Sequence, residues 1–221
     1  MVFINRSDAG RQLAQALRPY RDPQPVVLAL PRGGVPVAAE VAAALGAPLD
    51  LLLVRKIGVP AQPELAMGAV VNGGDPIVVR NDDVIDLAGI TEATFDAIRD
   101  RELTEIERRR RLYLGDRPST PLAGRIAIVI DDGVATGATT RAALRAIRLR
   151  RQPARLVLAV PVAAPDALVA LRDEADAVVC LEEHTSFGAI GFYYADFRQI
   201  SDDEVKDIMA RFAGGAASER S

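Results

Sequence analysis

Residues 126–142 read IAIVIDDGVATGATTRA, and their order decides the fold. The run IAIVI has no polar interruption, the pattern of a strand covered on both faces, as in a parallel sheet. Two adjacent carboxylates, Asp131 and Asp132, follow at the strand's carboxyl edge. Then come the small residues Gly133, Ala135, Gly137 and Ala138, interleaved with Thr136, Thr139 and Thr140, and a helix begins. Amide groups at a helix N-terminus are unpaired and attract anions, phosphate above all. Small side chains let a phosphate approach the backbone, and threonine hydroxyls add donors. Two carboxylates would repel that phosphate. They make sense as acceptors for sugar hydroxyls or facing a divalent cation. A phosphorylated sugar satisfies both halves, whereas a helix cap uses one acidic residue and needs no such loop.

Working outward, residues 26–30 (VVLAL) and 156–160 (LVLAV) are further buried strands, with 49–54 (LDLLLV) and 177–181 (AVVCL) as two more candidates. Helices are expected between them. One is the alanine-rich stretch 35–45, stopped by Gly46 and Pro48. Another is 139–151, with Ala143, Leu144 and Ile147 on one face, and a shorter one covers 166–174. This alternation predicts an α/β fold, a doubly wound, mainly parallel sheet of about five core strands flanked by helices. An excursion of about fifty residues, 68–118, interrupts it, longer than an ordinary connection. It reads as a hairpin over 68–80, turning at Asn72-Gly73-Gly74-Asp75, then a long charged helix over 91–114. One domain is expected over 1–212, with an aromatic, hood-like segment near its end and a disordered tail over 213–221.

Composition bounds the function. Of 221 residues, 49% are hydrophobic and 26% charged, which is globular rather than disordered. A net charge of −3 gives no bulk attraction for nucleic acid. Cys180 and His184 are each the only residue of their type, which excludes an intramolecular disulfide and any Cys- or multi-His metal cluster. The first residues turn polar at Asn5 and Arg6, and the most apolar segment is broken by Glu40, so no leader and no membrane span is expected. The expectation is a soluble cytoplasmic protein.

Other segments supply candidate partners for phosphate. Arg32, Gly33 and Gly34 follow the first core strand and open a helix, a second anion cradle. Arg55 and Lys56 end the next strand with adjacent cations, useful against a highly charged leaving group. Arg108 to Arg111 form a run on the long helix, read first as a solvated face paired with Glu105 and Glu107. The aromatics Phe187, Phe192, Tyr193, Tyr194 and Phe197 could stack a flat base, though core packing is their commoner use. No Gly-Lys-Ser/Thr tripeptide and no G-x-G-x-x-G run after the strand occurs, so neither a Walker A loop nor a dinucleotide fingerprint competes.

The run Asp131-Asp132 with Val134-Ala135-Thr136-Gly137-Ala138-Thr139 resembles the phosphoribosyl-diphosphate motif of type I phosphoribosyltransferases. The segment Pro63-Glu64-Leu65-Ala66-Met67-Gly68 is similar to a bacterial subgroup of them, and the likeness extends from Phe3 to about Val205. The resemblance implies transfer of a 5-phosphoribosyl group from 5-phosphoribosyl 1-diphosphate to an acceptor such as a nucleobase. Asp131 and Asp132 would hold the ribose hydroxyls. Val134, Ala135, Thr136, Gly137, Ala138, Thr139 and Thr140 would hold the 5′-phosphate, and Arg32, Gly33, Gly34, Arg55 and Lys56 would face the diphosphate. Magnesium is the implied cofactor, carried through the substrate with Asp131 and Asp132 as the protein groups able to face it. A homo-oligomer is implied as well. Transferases for 6-oxopurines carry an aspartate before the Thr-Gly, where this chain has Ala135, so such acceptors are disfavoured. Two other readings share the site: a regulator that binds phosphoribosyl diphosphate or a nucleotide without turnover, and a hydrolase or phosphorylase of a ribose phosphate.

Overall fold

The computed structural model describes residues 2–72, 76–150 and 152–213. In chain order its elements are α1 (Arg6–Ala16), β1 (Val26–Ala29), α2 (Gly34–Leu45), β2 (Leu49–Leu51), β3 (Val54–Val59), β4 (Gln62–Val71), β5 (Ile77–Arg80), α3 (Asp82–Leu87), α4 (Glu92–Leu114), β6 (Ile126–Ile130), α5 (Ala138–Arg150), β7 (Arg155–Ala163), α6 (Pro165–Arg172), β8 (Ala177–Glu183) and α7 (Asp202–Arg211). Gly73, Gly74 and Asp75 of the expected turn, Arg151 of the expected helix and the tail from 214 onward lie outside the described residues.

Five strands pair in the order β2-β1-β6-β7-β8, every pair parallel. Successive side chains of a strand point to opposite faces, and both faces are buried here. Val27, Ala29, Ile128, Ile130, Val157 and Ala159 enter one core, with Leu13 of α1, Val37 and Val41 of α2 and Met209 of α7. Val26, Leu28, Ala127, Val129, Leu156 and Leu158 enter the other, with Leu144 and Ile147 of α5 and Leu168 and Leu171 of α6. Two cores divided by one sheet explain why the strands are continuous apolar runs. No described helix is long and apolar enough to cross a membrane.

Two expectations need correction. Residues 49–54 form two strands rather than one, because the chain changes sheets at Leu53. The Leu53 amide donates to the Asn72 side chain at 2.8 Å and its carbonyl accepts from the Asn72 amide at 2.9 Å. Val54 therefore opens β3, which pairs antiparallel with β4, and the hairpin becomes a three-stranded sheet, β3-β4-β5. Helices α1, α3 and α7 were also unexpected. Yet α7 begins with a reciprocal capping box between Ser201 and Glu204, a pattern written in the sequence.

The chain returns from the excursion past a buried carboxylate on β2. Asp50 accepts from the Thr120 amide at 2.7 Å, while Arg117 reaches Asp50 at 3.4 Å and the Leu49 carbonyl at 2.7 Å. Asp50→Ala would leave these donors facing a dry hole. It should lower stability by about 3 kcal/mol, seen as a lower urea midpoint at unchanged slope.

Candidate functional site at the carboxyl edge of the parallel sheet

Strands β1 and β6 are neighbours, with Ala29 opposite Ile130, so their following loops leave the sheet side by side. The approach is closer than a side chain allows. A Cβ on Gly33 would run into the Asp132 carboxylate, and one on Gly34 would lie 2.7 Å from the Ile130 carbonyl oxygen. Both glycines are required by space, since Gly33 has an ordinary helical backbone. Arg32, Gly33 and Gly34 thus meet Asp131 and Asp132 at one edge, where open α/β sheets bind ligands.

The two aspartates have different surroundings. Asp132 is buried, and its Oδ2 accepts from Arg6 Nε at 2.7 Å. Arg6 also donates from Nη1 to the Arg198 carbonyl at 2.9 Å and lies 3.8 Å over the Phe197 ring. Tyr194 donates its hydroxyl to the Asp132 carbonyl at 2.5 Å and packs against Phe3 and Phe197. Asp131 is half-buried; its Oδ1 accepts the Asp132 amide at 2.9 Å, and no described lysine or arginine pairs with it. Burial, reinforced by the neighbouring Asp132 carboxylate, pushes the Asp131 carboxyl well above its usual range. Asp131 is therefore the member of the pair with capacity for a ligand.

The small-residue loop divides as well. The Val134 amide donates to the Val162 carbonyl at 2.9 Å and its carbonyl accepts from Ala164 at 3.0 Å, so this residue is stitched to β7. Its amide is already engaged, which corrects its place among the phosphate donors. The amides of Ala135, Thr136 and Gly137 have no described acceptor, and the first helical bond runs from Arg141 to Gly137 at 2.8 Å. The amides of Ala138, Thr139 and Thr140 precede that bond and point out of the helix. Gly137 has φ +74° and would press a Cβ onto Leu171, so glycine is needed there on both counts. Thr136 and Thr139 are exposed; Thr140 is buried, which removes its hydroxyl from the open face.

The cations separate. Arg32 stands at the shared edge, 3.4 Å from Asp202, which also accepts the Tyr113 hydroxyl at 2.6 Å. Burial and that hydrogen bond push the Tyr113 phenol up to about 12, while Tyr113 followed by Arg32 holds Asp202 below the usual carboxylate range. Arg55 and Lys56 are neighbours on a strand and point opposite ways. Arg55 pairs with buried Glu102 of α4 at 2.6 Å, and Lys56 reaches exposed Glu64 at 3.1 Å on the face toward α5. Both cations also line one cavity against α4. On α4, Arg108 and Arg109 pair with Glu105 and Arg111 with Glu107, each at 2.8 Å, the solvated helical face expected for this run. Tyr193 stacks on His184 and Phe187, and Phe192 is exposed.

Sequence reasoning missed Arg6, Tyr194's hydrogen bond and Asp202. Nothing local announces Arg6; it meets Asp132 only because α1 folds onto the sheet edge. Removing one partner of a buried pair leaves an uncompensated charge. Arg6→Ala is therefore expected to cost about 3–5 kcal/mol, measured by urea unfolding, and Asp132→Ala in the same background should recover part of the loss.

Comparison with known proteins agrees with this architecture. The family model described as the phosphoribosyl transferase domain matches residues 5–197. A Mycobacterium tuberculosis H37Rv protein, provisionally named a phosphoribosyl transferase, is 48% identical over 210 residues, 95% of this chain and 47% of its own length. The chain thus spans about half the length of the curated relatives it matches. A crystal structure of a Thermus thermophilus protein superposes with a TM-score of 0.84 at 42% identity, covering 97% of this chain and 100% of that one. A purine phosphoribosyltransferase from Pyrococcus horikoshii shares the fold, with a TM-score of 0.50 at 16% identity over 90% and 97% of the two chains. With residues 5–197 inside the matched domain and a half-identical relative along nearly its whole length, the chain belongs to the phosphoribosyl transferase domain family.

Proposed function

We propose that this chain transfers the 5-phosphoribosyl group of 5-phosphoribosyl 1-diphosphate to a nitrogen acceptor, a nucleobase in the first instance, and releases diphosphate. The observation that carries the reading is the meeting of Asp131, the open amides of residues 135–140 and the Arg32-Gly33-Gly34 loop at one sheet edge. The ribose hydroxyls donate to Asp131. The amides, with Thr136 and Thr139, take the 5′-phosphate, and Arg32 faces the diphosphate. Displacement at C1′ forms the bond to the acceptor nitrogen as the bond to the diphosphate oxygen breaks. The leaving group takes the electron pair, and the nitrogen's proton passes to solvent. Positive charge gathers on the sugar while negative charge gathers on the leaving oxygen, so acceleration comes from positioning and fixed charge rather than covalent chemistry.

Magnesium fits this donor set in a limited way. No described group of three or more acidic, His or Cys side chains could hold a metal, and Asp132 is engaged by Arg6, which leaves Asp131 as the carboxylate able to face one. That suits an ion bound mainly through substrate oxygens, which would offset charge on the diphosphate. Ala135 is exposed and offers no carboxylate to a purine ring, in keeping with an acceptor other than a 6-oxopurine. The second reading is a regulator that binds the same ligand without turnover.

The test is release of diphosphate from 5-phosphoribosyl 1-diphosphate with magnesium, across a panel of adenine, pyrimidine and 6-oxopurine bases. Base-dependent release is expected, with Asp131→Asn lowering kcat/KM by about 10²-fold. Tight binding with no release for any base would leave the regulator reading. A pH series adds an independent check. Ribose hydroxyls donate to the ionised Asp131 carboxylate, and burial raises its titration. The ligand Kd should therefore tighten as pH rises through that titration and level off above it. Asp131→Asn should remove this component and leave only the ligand's own phosphate ionisation.

A further inference from the structure

Beside the first turn of α5, the excursion sheet rests on that helix and leaves a cavity of about 200 Å³ between them. Its lining carries Lys56, Arg80, Arg141 and Arg145 and, among the described residues, no aspartate or glutamate. The convergence follows from simple periodicities. Lys56 lies on the face of β3 opposite Arg55, Arg80 ends β5, and Arg141 and Arg145 stand four apart on one flank of α5. Like charges at that helical spacing repel one another, a cost that an anion seated between them would offset.

Three of the four cations are steadied by carboxylates that do not line the cavity. Lys56 pairs with Glu64 at 3.1 Å, Arg80 with Glu92 at 2.7 Å and Arg145 with Glu174 at 2.6 Å. Arg141 is exposed, and its side chain has no described hydrogen bond or ion pair. Guanidinium groups match phosphate oxygens in paired, charge-assisted hydrogen bonds, and Thr139 and Asn81 add polar groups to the lining. Arg32, Asp131 and Asp132 do not line this cavity, which touches the small-residue loop only through Ala138 and Thr139.

We propose that this cavity is a second anion site, built for a diphosphate group either free or carried on a nucleotide. Four cationic side chains around one open cavity, three of them able to exchange a carboxylate partner for a ligand, suit a diphosphate better than a single phosphate. The site borders the 5′-phosphate loop through Ala138 and Thr139, while its distinctive cations Arg80, Arg141 and Arg145 take no part in the ribose site.

The experiment is calorimetric titration of the full chain with inorganic diphosphate, and separately with ADP, both without magnesium. Wild type, Arg141→Glu, Arg141→Lys and Asp131→Asn/Asp132→Asn are compared. The Arg141 side chain is exposed and unpaired among the described residues, so its variants should keep the fold, checked by circular dichroism. The expected result is a site that Arg141→Glu weakens roughly tenfold or more, that Arg141→Lys largely preserves, and that the double aspartate variant leaves intact. Tighter binding of ADP assigns the site to a nucleotide; tighter binding of inorganic diphosphate assigns it to the free anion. Equal affinity in wild type and Arg141→Glu would overturn the proposal, as would no binding of either probe to wild type. Binding of 5-phosphoribosyl 1-diphosphate with magnesium to Arg141→Glu should match wild type, so failure of this site and failure of the ribose site are told apart.

Discussion

The approach of two loops to within less than a side chain's width organises the functional edge of this protein. Neighbouring parallel strands β1 and β6 end at the same height, and the loops leaving them must share one space. Glycine at positions 33 and 34 allows the sharing, because any Cβ there would enter the Asp132 carboxylate or the β6 backbone. Both α2 and α5 start at this edge, and it is α5 that aims unpaired amides at it, because the Gly34 and Val35 amides of α2 donate to the Leu30 and Arg32 carbonyls at 3.1 and 3.2 Å. An acidic pair beside such donors would repel any phosphate they hold unless something neutralised it. Arg6 neutralises Asp132 from one side, and the chain ends close over it: Phe3 packs on Tyr194, and Ala195 donates to the Phe3 carbonyl at 2.9 Å.

That arrangement divides labour within an acidic pair that looks symmetrical in sequence. Asp132 is committed to structure, holding α1 and the C-terminal aromatic segment to the sheet edge, whereas Asp131 keeps its capacity to accept. The cations divide in the same manner. Arg32 stands at the shared edge near Asp202 and Tyr113, Arg55 anchors the long helix through Glu102, and Lys56 pairs with Glu64. Of the arginine pairs on the long helix, Arg55–Glu102 docks it, while Glu105 pairs with Arg108 and Arg109 within the helix itself.

Much of the fold was legible because its strands are buried on both faces, and continuous apolar runs alternating with helices fit few architectures besides a covered parallel sheet. The strand–acid–loop–helix order of residues 126–142 was legible for a related reason: it is contiguous, and local geometry alone places its parts. The illegible features depend on contacts between distant positions. Leu53 leaves one sheet for another because Asn72 waits nineteen residues on. Val134 looks like a loop amide until Val162 of β7 accepts from it. Arg6 reads as an ordinary polar residue of a terminal helix, 126 positions from the carboxylate it neutralises. The separate glutamate partners of Arg55 and Lys56 follow the alternation of any strand.

The central claim is that Asp131 and the open amides of residues 135–140 form a single site for a phosphorylated ribose. The most direct measurement is a crystal structure of the chain with 5-phosphoribosyl 1-diphosphate and magnesium. The account predicts ribose hydroxyl oxygens within about 2.5–3.0 Å of Asp131 carboxylate oxygens, with the 5′-phosphate on the loop amides and Asp132 still held by Arg6. An ordered ligand seated elsewhere while this edge holds only solvent would contradict it.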